Sequence, residues 1–505
     1  MITSNSEYKI CIFISFSVLI IFHLISCGGR IESVYAEKYS SSPYIREFDV
    51  PLLNSGPLAI DVARDGTIWF TMEGANKLGS FNPVTKEFKL FQVPWKPDKE
   101  INHYGMEGII ADDRGFIWFT HGSTNKIGQF NPVSNSFRGY DIPTHESQPI
   151  FLILDEWGNL WFSELRGDKI GVIIENERIV EYDIPTEMSG PAGLAFDSEG
   201  KLWFTEAFSQ SIGVLDPITG NINEFKPPES FIIYSPVGII VDENDVVWFT
   251  DHGGSELIQF DPKINSWKKY STSQAPPEIY PVSLPNDLEM DENGDLWIAE
   301  HAGNKIAKFD RSTQIMTEYT IPTFRAITLW LALAPDGKIW FAEAEGNKIG
   351  MIDPSEPVGF TLSVPKEPII MNSDRVAYFL TNVSRIKQSN NSLEFSTYGE
   401  INTVRFRFDP EILNNSSIIS NVNVTMIVPE ELEEGKYVFS ISIGEGSVSQ
   451  TASIYLLVPP INYNVYIIIL VPLIALVLIF SVLVRKSKRN RQAELNTNVS
   501  GVNKF

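Results

Sequence analysis

Acidic side chains recur at one fixed offset from a set of regularly spaced tryptophans. The third residue after the tryptophan is an acid in five consecutive units, and a histidine follows that acid in two of them. In chain order the third residues are Met72, His121, Glu164, Glu206, Asp251, Glu300 and Glu343, and the added histidines are His252 and His301. Carboxylate oxygens are the ligands that Ca²⁺ and Mg²⁺ prefer, and clustered carboxylates repel one another unless they bind a cation or a proton. The pattern predicts a divalent-cation site with Glu206, Asp251 and Glu300 as ligands.

A second set of residues is expected beside the first. Counting back from each tryptophan gives the residue that enters the preceding strand, and this set contains one acid, Glu107, and one amide, Asn286. Antiparallel strands bring the start of one strand and the end of the next to the same edge. The predicted ligand- or cation-binding rim therefore consists of His121, Glu164, Glu206, Asp251, Glu300, Glu343 and Glu107.

Two other interpretations of the same residues stay open. In one, the histidines and acids form a metal-assisted hydrolase or lactonase site, with His252, His301 and Glu300 as the candidate catalytic residues. In the other, each strand-end acid forms an exposed ion pair with a lysine a few residues on, as Glu164 would with Lys169, and such pairs contribute little energy.

These residues are positioned by a phrase, Trp-Phe-Thr or a close variant, that the chain repeats seven times. Its tryptophans are Trp69, Trp118, Trp161, Trp203, Trp248, Trp297 and Trp340, which gives steps of 49, 43, 42, 45, 49 and 43 residues. A period in the low forties is typical of blade-type repeats. Each unit reads as four short strands joined by tight turns, and four-stranded sheets arranged radially bury both of their faces. The predicted fold is all-β, with a seven-bladed propeller over residues 44–354.

Two details of the repeat predict how the propeller is built. Side chains alternate across a strand, so the Trp and Phe of each phrase should point into opposite seams between blades. Residues 44–51 read as a fourth strand with no unit before it, and the last unit lacks a fourth strand. The N-terminal strand should therefore close the ring, with residues 359–365 as a rival for that position.

The phrase and its surroundings resemble the virginiamycin B lyase family. The shared features are Gly-Pro, Asp-Gly, Trp-Phe-Thr-Glu, Asn-Lys-Ile-Gly and Glu-Tyr-x-Ile-Pro, over about residues 44–354. The resemblance implies a seven-bladed propeller and, for the family, opening of streptogramin B antibiotics by elimination, with two catalytic histidines and a magnesium ion held by glutamates. Leu329 and Asn286 occupy the positions of those histidines, and Glu343 or Glu345 that of the last-blade glutamate. Because the family's type of base is missing, the resemblance predicts the fold and does not carry the activity over.

A second domain is predicted after the repeats. About seven short alternating strands in about 100 residues indicate an immunoglobulin- or fibronectin-like β-sandwich over residues 358–459. Acceptor triplets for N-glycosylation occur in this region at Asn382, Asn390, Asn414, Asn415 and Asn423.

The two ends of the chain predict a membrane protein. Lys9, an apolar run and small residues near Ala36 indicate a signal peptide over residues 1–36, with a lipoprotein site at Cys27 or an uncleaved anchor as alternatives. Residues 465–484 carry no charge and are long enough for a transmembrane helix. The basic segment 485–505 should then be a cytoplasmic tail. The predicted location is the cell membrane, single-pass, with the bulk of the chain extracellular and the membrane as a partner.

Composition narrows the classes of function. The formal net charge of −23 argues against nucleic acid as a partner. The two cysteines, Cys11 and Cys27, precede the folded region, which excludes cysteine nucleophiles and cysteine metal sites there. We expect a propeller that binds an extracellular ligand, glycan or protein at an acidic rim, with Ca²⁺ or Mg²⁺ as the candidate cofactor. The alternative is a metal-dependent lyase that eliminates across a C–O bond, or a lactonase or other hydrolase.

Overall fold

The structure, a computed structural model, describes residues 41–96, 105–174, 178–272, 283–387, 392–399, 403–413 and 419–460. The regular secondary structure of the described chain is β-strand, apart from one 3-10 turn at Gly122–Thr124. This confirms the all-β class predicted from the alternating runs.

Seven four-stranded antiparallel units follow one another along the chain. The first strand is β1 (Ile45–Asp49), and blade one consists of β2 (Pro57–Val62), β3 (Ile68–Met72), β4 (Lys77–Asn82) and β5 (Glu87–Gln92). Blade two consists of β6 (Ile109–Ala111), β7 (Ile117–His121), β8 (Lys126–Asn131) and β9 (Ser136–Asp141). Blade three consists of β10 (Pro149–Leu154), β11 (Leu160–Glu164), β12 (Lys169–Ile174) and β13 (Arg178–Asp183). Blade four consists of β14 (Pro191–Phe196), β15 (Leu202–Glu206), β16 (Ser211–Leu215) and β17 (Ile222–Phe225).

The remaining blades repeat this order. Blade five consists of β18 (Pro236–Val241), β19 (Val247–Asp251), β20 (Glu256–Asp261) and β21 (Ser266–Ser271). Blade six consists of β22 (Pro285–Met290), β23 (Leu296–Glu300), β24 (Lys305–Asp310) and β25 (Ile315–Thr320). Blade seven consists of β26 (Leu331–Leu333), β27 (Ile339–Glu343) and β28 (Lys348–Ile352), with β1 as its fourth strand. The pairing of β1 with β28, from Ile45↔Ile352 to Asp49↔Lys348, closes the ring as predicted.

The core lies in the seams between blades. Each seam holds the tryptophan of one phrase and the second phrase residue of the next blade: Trp69 with Phe119, Trp118 with Phe162, Trp161 with Phe204, Trp203 with Phe249, Trp248 with Ile298, Trp297 with Phe341, and Trp340 with Phe70. Trp and its neighbour in the phrase therefore do point to opposite seams. The third strand of a blade leaves room for the phenylalanine ring with a glycine, since a Cβ on Gly213 would lie 2.1 Å from Phe204 Cζ.

Five of the tryptophans are also fixed by a buried or half-buried aspartate six positions earlier. The indole N–H donates to Oδ2 in the pairs Trp118–Asp112 (3.1 Å), Trp161–Asp155 (3.0 Å), Trp203–Asp197 (2.9 Å), Trp248–Asp242 (2.9 Å) and Trp297–Asp291 (3.0 Å). Blades one and seven carry Ala63 and Ala334 at this place. Since a buried donor needs a partner, the aspartate of each turn is a seam residue as well as a turn residue.

The second domain is built from two sheets. Its strands are β29 (Phe360–Ser363), β30 (Ile369–Ile370), β31 (Val376–Arg385), β32 (Leu393–Gly399), β33 (Arg405–Asp409), β34 (Ile412–Leu413), β35 (Ile419–Ile427), β36 (Gly435–Glu445) and β37 (Val448–Val458). One sheet has the order β29-β31-β35-β33, so β29 belongs here and is not the closing strand of the propeller. Of the predicted acceptor asparagines, Asn382 and Asn423 lie on β31 and β35, with Asn423 exposed, and Asn390, Asn414 and Asn415 lie outside the described residues.

Main-chain pairing joins this domain to blade six. β25 pairs antiparallel with β37, from Ile315↔Ala452 to Tyr319↔Val448, and the sheet continues through β36, β32 and β34. Glu318 is fully buried at this junction and accepts hydrogen bonds from Ser449 Oγ at 3.1 Å and Thr451 Oγ1 at 2.9 Å. The propeller and the second domain thus share one continuous sheet and one apolar cluster.

The prediction of a single-pass membrane protein, with the membrane as a partner, is corrected. Among the residues that the structure describes, no helix has both the length and the apolar character needed to cross a bilayer. The predicted signal peptide (1–36), transmembrane segment (465–484) and basic tail (485–505) lie outside the described residues.

Candidate functional site

The strand-end residues proposed as a rim are buried. His121, Glu164, Glu206, Asp251, Glu300 and Glu343 all have an exposed fraction of 0%. Each is the last residue of the second strand of its blade and pairs across to the third strand, as Glu164 does with Lys169. The acids are therefore part of the blade interior, and the prediction of an exposed acidic rim at these six positions is wrong.

In blade three the buried acid faces the outer strands. Glu164 Oε2 packs closely against Gly167: a Cβ atom added to this glycine would lie 2.9 Å from Oε2. Lys169 Nζ is 3.3 Å from Glu181 Oε2 and 3.1 Å from Asp183 Oδ1, on the fourth strand. Burial, and then the nearby negative charge of Glu181, raises the pKa of Glu164 to about 8. Glu164 is therefore held as a neutral acid at pH 7, since its proton is retained up to that pKa.

The same arrangement recurs in blades six and seven, where Lys305 is 3.8 Å from Glu318 and Lys348 is 2.8 Å from Glu47. Burial raises the pKa of Glu300 well above its usual value, and that of Glu343 to about 8. The alternative of an exposed ion pair between each strand-end acid and its lysine is wrong as well, because these lysines pair with acids of the outermost strand.

Glu206 and Asp251 accept hydrogen bonds from their own loops. Glu206 Oε2 accepts hydrogen bonds from Ser209 Oγ at 2.6 Å and Ser211 Oγ at 2.9 Å. Asp251 accepts from the main-chain N–H of Tyr234 at 3.1 Å and of Ser235 at 2.8 Å. These carboxylates hold the loops that surround them.

His121 is likewise held by its surroundings. Its Nδ1 is 2.7 Å from Thr124 Oγ1 and its Nε2 is 3.0 Å from Asn76 Oδ1. Burial lowers the pKa of His121 to about 4. The side chain is therefore a neutral hydrogen-bonding member of the seam.

The predicted carboxylate metal site is not formed. Within the described ranges, no group of three or more His, Cys, Asp or Glu side chains is arranged to hold a metal ion. Glu206, Asp251 and Glu300 belong to separate blades, and each faces its own loop or outer strand. Of the two candidates for the last-blade glutamate of the family, Glu343 is buried beside Glu47, whereas Glu345 is exposed.

The mouth of the central channel, at the same end as these acids, is shaped by a bulge in the first strands. In blades one, three, four, five and six the register with the second strand shifts just after the opening proline, as between Pro285 and Leu288. In blades one, three, four and five the hydroxyl of the phrase accepts a hydrogen bond from a main-chain N–H of the bulge. Thr250 Oγ1 accepts from the N–H of Gly238 at 2.9 Å and donates to the carbonyl of Asn286 in the next blade at 2.7 Å. A bulge re-aims side chains, and here it turns the entering residues toward the channel mouth.

Two aromatic side chains meet across this mouth. Phe151 of blade three and Trp330 of blade seven have ring centroids 4.4 Å apart and planes inclined by 59°. These blades are not neighbours in the ring, so the contact spans the channel. Phe151 is buried, whereas Trp330 stays partly exposed. The aromatic pair therefore forms a floor that faces outward.

Polar groups of blades five and six lie on one side of the floor. Asn286 Nδ2 donates to the carbonyl of Leu329, the neighbour of Trp330, at 2.9 Å. His252 Nδ1 is 3.2 Å from the carbonyl of Pro285, and the rings of His252 and His301 are 4.9 Å apart. Burial lowers the pKa of His252 to about 4 and that of His301 well below its usual value. Both imidazoles are therefore neutral at pH 7.

Glu107 lies on the opposite side of the floor. The adjacent Gly108 packs against the carbonyl of Ile150: a Cβ atom added to Gly108 would lie 2.2 Å from that carbonyl oxygen. Burial, and then the charge of Glu73, raises the pKa of Glu107 to about 7. Of the predicted rim, Glu107 is thus the one residue that reaches the mouth. We call Glu107, Ile150, Phe151, Trp330, Leu329 and Asn286 the mouth surface.

The first strands also bring three acids together. Asp61 Oδ2 accepts from the N–H of Ala111 at 2.7 Å, and Asp287 Oδ2 accepts from the N–H of Leu331 at 3.0 Å. Burial raises the pKa of Asp61 to about 6 and that of Asp287 to about 7, and the pKa of Glu289 rises well above its usual value. Two of these acids bridge the innermost strands of neighbouring blades, so they help to hold the channel wall.

Comparison with known proteins agrees with the fold. The sequence model of the virginiamycin B lyase family matches residues 43–280. A solved streptogramin B lyase is 30% identical, with 61% of this chain and 97% of that chain covered and a TM-score of 0.55. The chain belongs to the virginiamycin B lyase family. The virginiamycin B lyase of Staphylococcus aureus is 28% identical, with 61% of this chain and 98% of that chain covered and a TM-score of 0.53.

A further virginiamycin B lyase structure, a catalytically inactive histidine-to-alanine variant from Staphylococcus aureus with quinupristin, is 28% identical over the same shares, with a TM-score of 0.54. No curated protein matches the chain. The solved virginiamycin B lyases cover the propeller, and their match spans about three fifths of this chain.

The mouth surface contains a residue that sequence reasoning missed. Trp330 occupies a place where four other blades of this virginiamycin B lyase-like propeller carry Ala59, Gly108, Gly193 and Gly238. The phrase hydroxyl is also replaced, by Ala299 and Ala342, in the last two blades. A bulky aromatic at a small-residue position of the repeat was the available signal.

Proposed function

We propose that the propeller binds a small molecule with an apolar centre and polar groups at its edges across its mouth surface. The observation that carries this proposal is the contact between Phe151 and Trp330 across the channel, 4.4 Å between ring centroids. It provides a continuous floor on which a ligand can rest without entering the channel. This proposal keeps the binding function that the sequence predicts for this end of the propeller. The proposed binding surface lies closer to the channel axis than the strand-end acids do.

The floor favours an apolar or aromatic group at the centre of the ligand. Trp330 keeps part of its ring exposed, and Ile150 and Leu329 flank the aromatic pair. A ring that packs on an aromatic side chain gains about 0.5–1.5 kcal/mol beyond the area that it buries. Small-molecule sites typically combine an apolar centre with a few polar groups that fix the orientation of the ligand.

The two sides of the floor favour polar groups at the ends of the ligand. Asn286 presents an amide on one side, beside the neutral pair His252 and His301. On the other side Glu107, with a pKa raised to about 7 by burial, is partly protonated at neutral pH and can donate as well as accept. These groups suit hydroxyl, amide or ester functions better than a strong anion.

The family supports a cyclic peptide as the first probe. A solved family member is described with quinupristin, and the present chain shares its propeller over 98% of that protein's length. We therefore take quinupristin as the ligand to test here.

Calorimetric titration of the full-length chain with quinupristin, in EDTA, tests the proposal. Trp330→Ala should weaken binding by about tenfold, the equivalent of about 1.4 kcal/mol, and Asn286→Ala should weaken it as well. Trp157→Ala removes a tryptophan that is 70% exposed in the turn between β10 and β11, at the opposite end of the channel, and should leave binding unchanged. The absence of binding by the wild-type chain, or equal binding by Trp330→Ala, contradicts the proposal.

Elimination across a C–O bond is the second candidate function, and the neutral imidazoles favour it. A general base must be unprotonated at the working pH, and His252 meets this condition because burial lowers its pKa to about 4. Leu329 and Asn286 cannot accept a proton in that way, so the base would be His252 or His301.

Mass spectrometry of quinupristin after incubation separates the outcomes. Ring opening by elimination leaves the mass of the molecule unchanged, whereas hydrolysis of a lactone adds one water. Loss of the opened product in both His252→Gln and His301→Gln supports a catalytic role. Unaltered quinupristin with the wild-type chain leaves binding as the function and rules out this candidate.

A further inference from the structure

The segment that leads into Trp330 contains a strained residue. Ile327 has a φ of 53°, in the left-handed region of backbone conformation. Of the described residues other than glycine with a positive φ, it is the one with a β-branched side chain. A β-branched residue is a genuine outlier in this region, because its Cβ crowds the neighbouring carbonyl oxygen. Strained residues of this kind cluster at binding and catalytic sites.

The same turn leads into the first strand of five other blades, with residues that adopt a positive φ at lower cost. They have φ between 50° and 68° and are Gly56, Gly105, Gln148, Gly190 and Leu284. Glycine has no Cβ, and the glutamine and the leucine are not branched at theirs. The course of the backbone is therefore shared by the repeat, whereas the isoleucine is particular to blade seven.

The next residue of blade seven also departs from the repeat. Thr328 takes the place of the proline that opens the first strand in blades one, three, four, five and six. It is 1% exposed, and among the described residues its Oγ1 has no hydrogen-bond partner. A buried hydroxyl without a partner lowers stability. Two consecutive residues before Leu329 and Trp330 thus break local rules, which natural proteins do mainly at functional sites.

Hydrogen bonds from two elements hold the strained segment in place. The N–H of Ala326 donates to Asn304 Oδ1 of blade six at 2.7 Å. The carbonyl of Ile327 accepts from the N–H of Ala344, in the loop after β27, at 3.2 Å. Strained backbone persists only when its surroundings determine it in this way.

The peptide groups on both sides of Trp330 are bound as well. The carbonyl of Leu329 accepts from Asn286 Nδ2 at 2.9 Å, and the N–H of Leu331 donates to Asp287 Oδ2 at 3.0 Å. The backbone is therefore fixed before and after the tryptophan, whose ring lies 4.4 Å from that of Phe151. A side chain that is already ordered loses little entropy when a ligand packs on it.

We propose that Ile327 is a positioning residue, whose strained backbone, held by blade six and by the loop after β27, directs Trp330 across the channel to Phe151. Stability is given up in exchange for a preorganised mouth surface. Relief of the strain should make the fold more stable and Trp330 less well placed. The place of Trp330 is measured without a ligand, and only the effect on binding rests on the function proposed for the mouth surface.

Denaturant titration of the full-length variants Ile327→Gly and Ile327→Ala tests the strain. Both variants lose the same half-buried side chain beyond Cβ, so their difference reports the cost of a Cβ atom at this φ. The ratio of folded to unfolded chain should be about fivefold higher for the glycine variant. At an ordinary φ the order is the reverse, because glycine has more freedom in the unfolded chain. A higher ratio for the alanine variant overturns the proposal.

Fluorine NMR of the chain labelled with 5-fluorotryptophan tests the positioning. The resonance of Trp330 is identified by its loss in Trp330→Phe, and in Ile327→Gly it should shift or broaden. Met188→Gly is the matched control, because Met188 has a φ of 53° in the loop before blade four, a blade that gives no residue to the mouth surface. It should leave the Trp330 resonance unchanged. The proposal is overturned if this resonance is unchanged in Ile327→Gly, or if Met188→Gly alters it equally.

Calorimetric titration with quinupristin measures the consequence for binding. Ile327→Gly should bind about three- to tenfold more weakly than the wild-type chain, since the ligand must then order Trp330, and Met188→Gly should bind as the wild-type chain does. Equal binding by Ile327→Gly and the wild-type chain also contradicts the proposal. If the wild-type chain binds no quinupristin while the stability and the Trp330 resonance change as expected, the mouth proposal fails and the positioning role of Ile327 stands.

Discussion

Replacement of Glu343 by glutamine tests how the acids at the strand ends are held. The side chain is fully buried, and neither carboxyl oxygen accepts a hydrogen bond from the described residues. The nearby Lys348 instead binds Glu47, at 2.8 Å. Burial, followed by the charge of Glu47, raises the pKa of Glu343 to about 8. The folded chain therefore holds a neutral acid at pH 7, and glutamine closely copies its shape and charge.

The sign and size of the effect follow from proton linkage. With a pKa of about 8 in the folded chain and 4.5 as the ordinary value, the stability from this group is fully present below pH 4.5 and is lost as the pH rises through about 8. At 1.36 kcal/mol per pH unit, the wild-type chain loses about 3 kcal/mol from this group between pH 4.5 and pH 7. Glu343→Gln should therefore leave the free energy of unfolding unchanged near the lower pH and raise it by as much as about 3 kcal/mol at pH 7.

Denaturant titrations of both chains at several pH values, followed by tryptophan fluorescence, measure this difference. Glu156→Gln, in the exposed turn between β10 and β11, is the matched control and should show no such trend. If Glu343→Gln lowers the free energy of unfolding at pH 7, and by the same amount at every pH, the carboxylate is ionised and paired with Lys348. That result would refute the account of these buried acids.

Three further changes test other parts of the fold. Asp197→Ala removes hydrogen bonds from two main-chain N–H groups at 3.0 and 2.9 Å and from Trp203 Nε1 at 2.9 Å. The free energy of unfolding, measured in a denaturant titration, should therefore fall by about 2–4 kcal/mol. A fall below about 0.5 kcal/mol would contradict the role of this aspartate. Gly346→Ala places a methyl group 2.6 Å from Oε2 of Glu343, the strand-end acid of blade seven. This overpacking should lower the free energy of unfolding by about 1–3 kcal/mol. Unchanged stability would show that the acid can move aside. Thr451→Val removes the 2.9 Å hydrogen bond to buried Glu318. The rate of amide hydrogen exchange should therefore rise in β25 and β37 and stay the same in blade three. A uniform rise across the chain would argue against a local junction.

The fold was readable from the sequence because its signal is repeated. The spacing of the seven tryptophans fixes the number of blades, and alternation along the strand places Trp203 and Phe204 in opposite seams. The unmatched strand at residues 44–51 predicts ring closure, which the pairing of β1 with β28 confirms. The sheet shared by β25 and β37 gave no comparable signal, because pairing between strands so far apart in the chain depends on packing and not on local pattern.

The site was less readable, because an offset along a strand does not give the direction of a side chain. Glu164 and Glu300 do end their strands at the mouth end of the propeller, as predicted, but they face their own lysines and outer strands. Glu107 reaches the mouth because it precedes the first strand. Trp330 reaches across the channel to Phe151 from just before β26, and a contact between two distant blades is not visible in a periodic pattern.

A crystal structure of the full-length chain with quinupristin tests the central claim most directly. The account predicts that the ligand lies across Trp330 and Phe151, with polar groups toward Asn286 at one side and Glu107 at the other. A ligand bound at the opposite end of the channel, or on the outer strands with Trp330 uncovered, would contradict it.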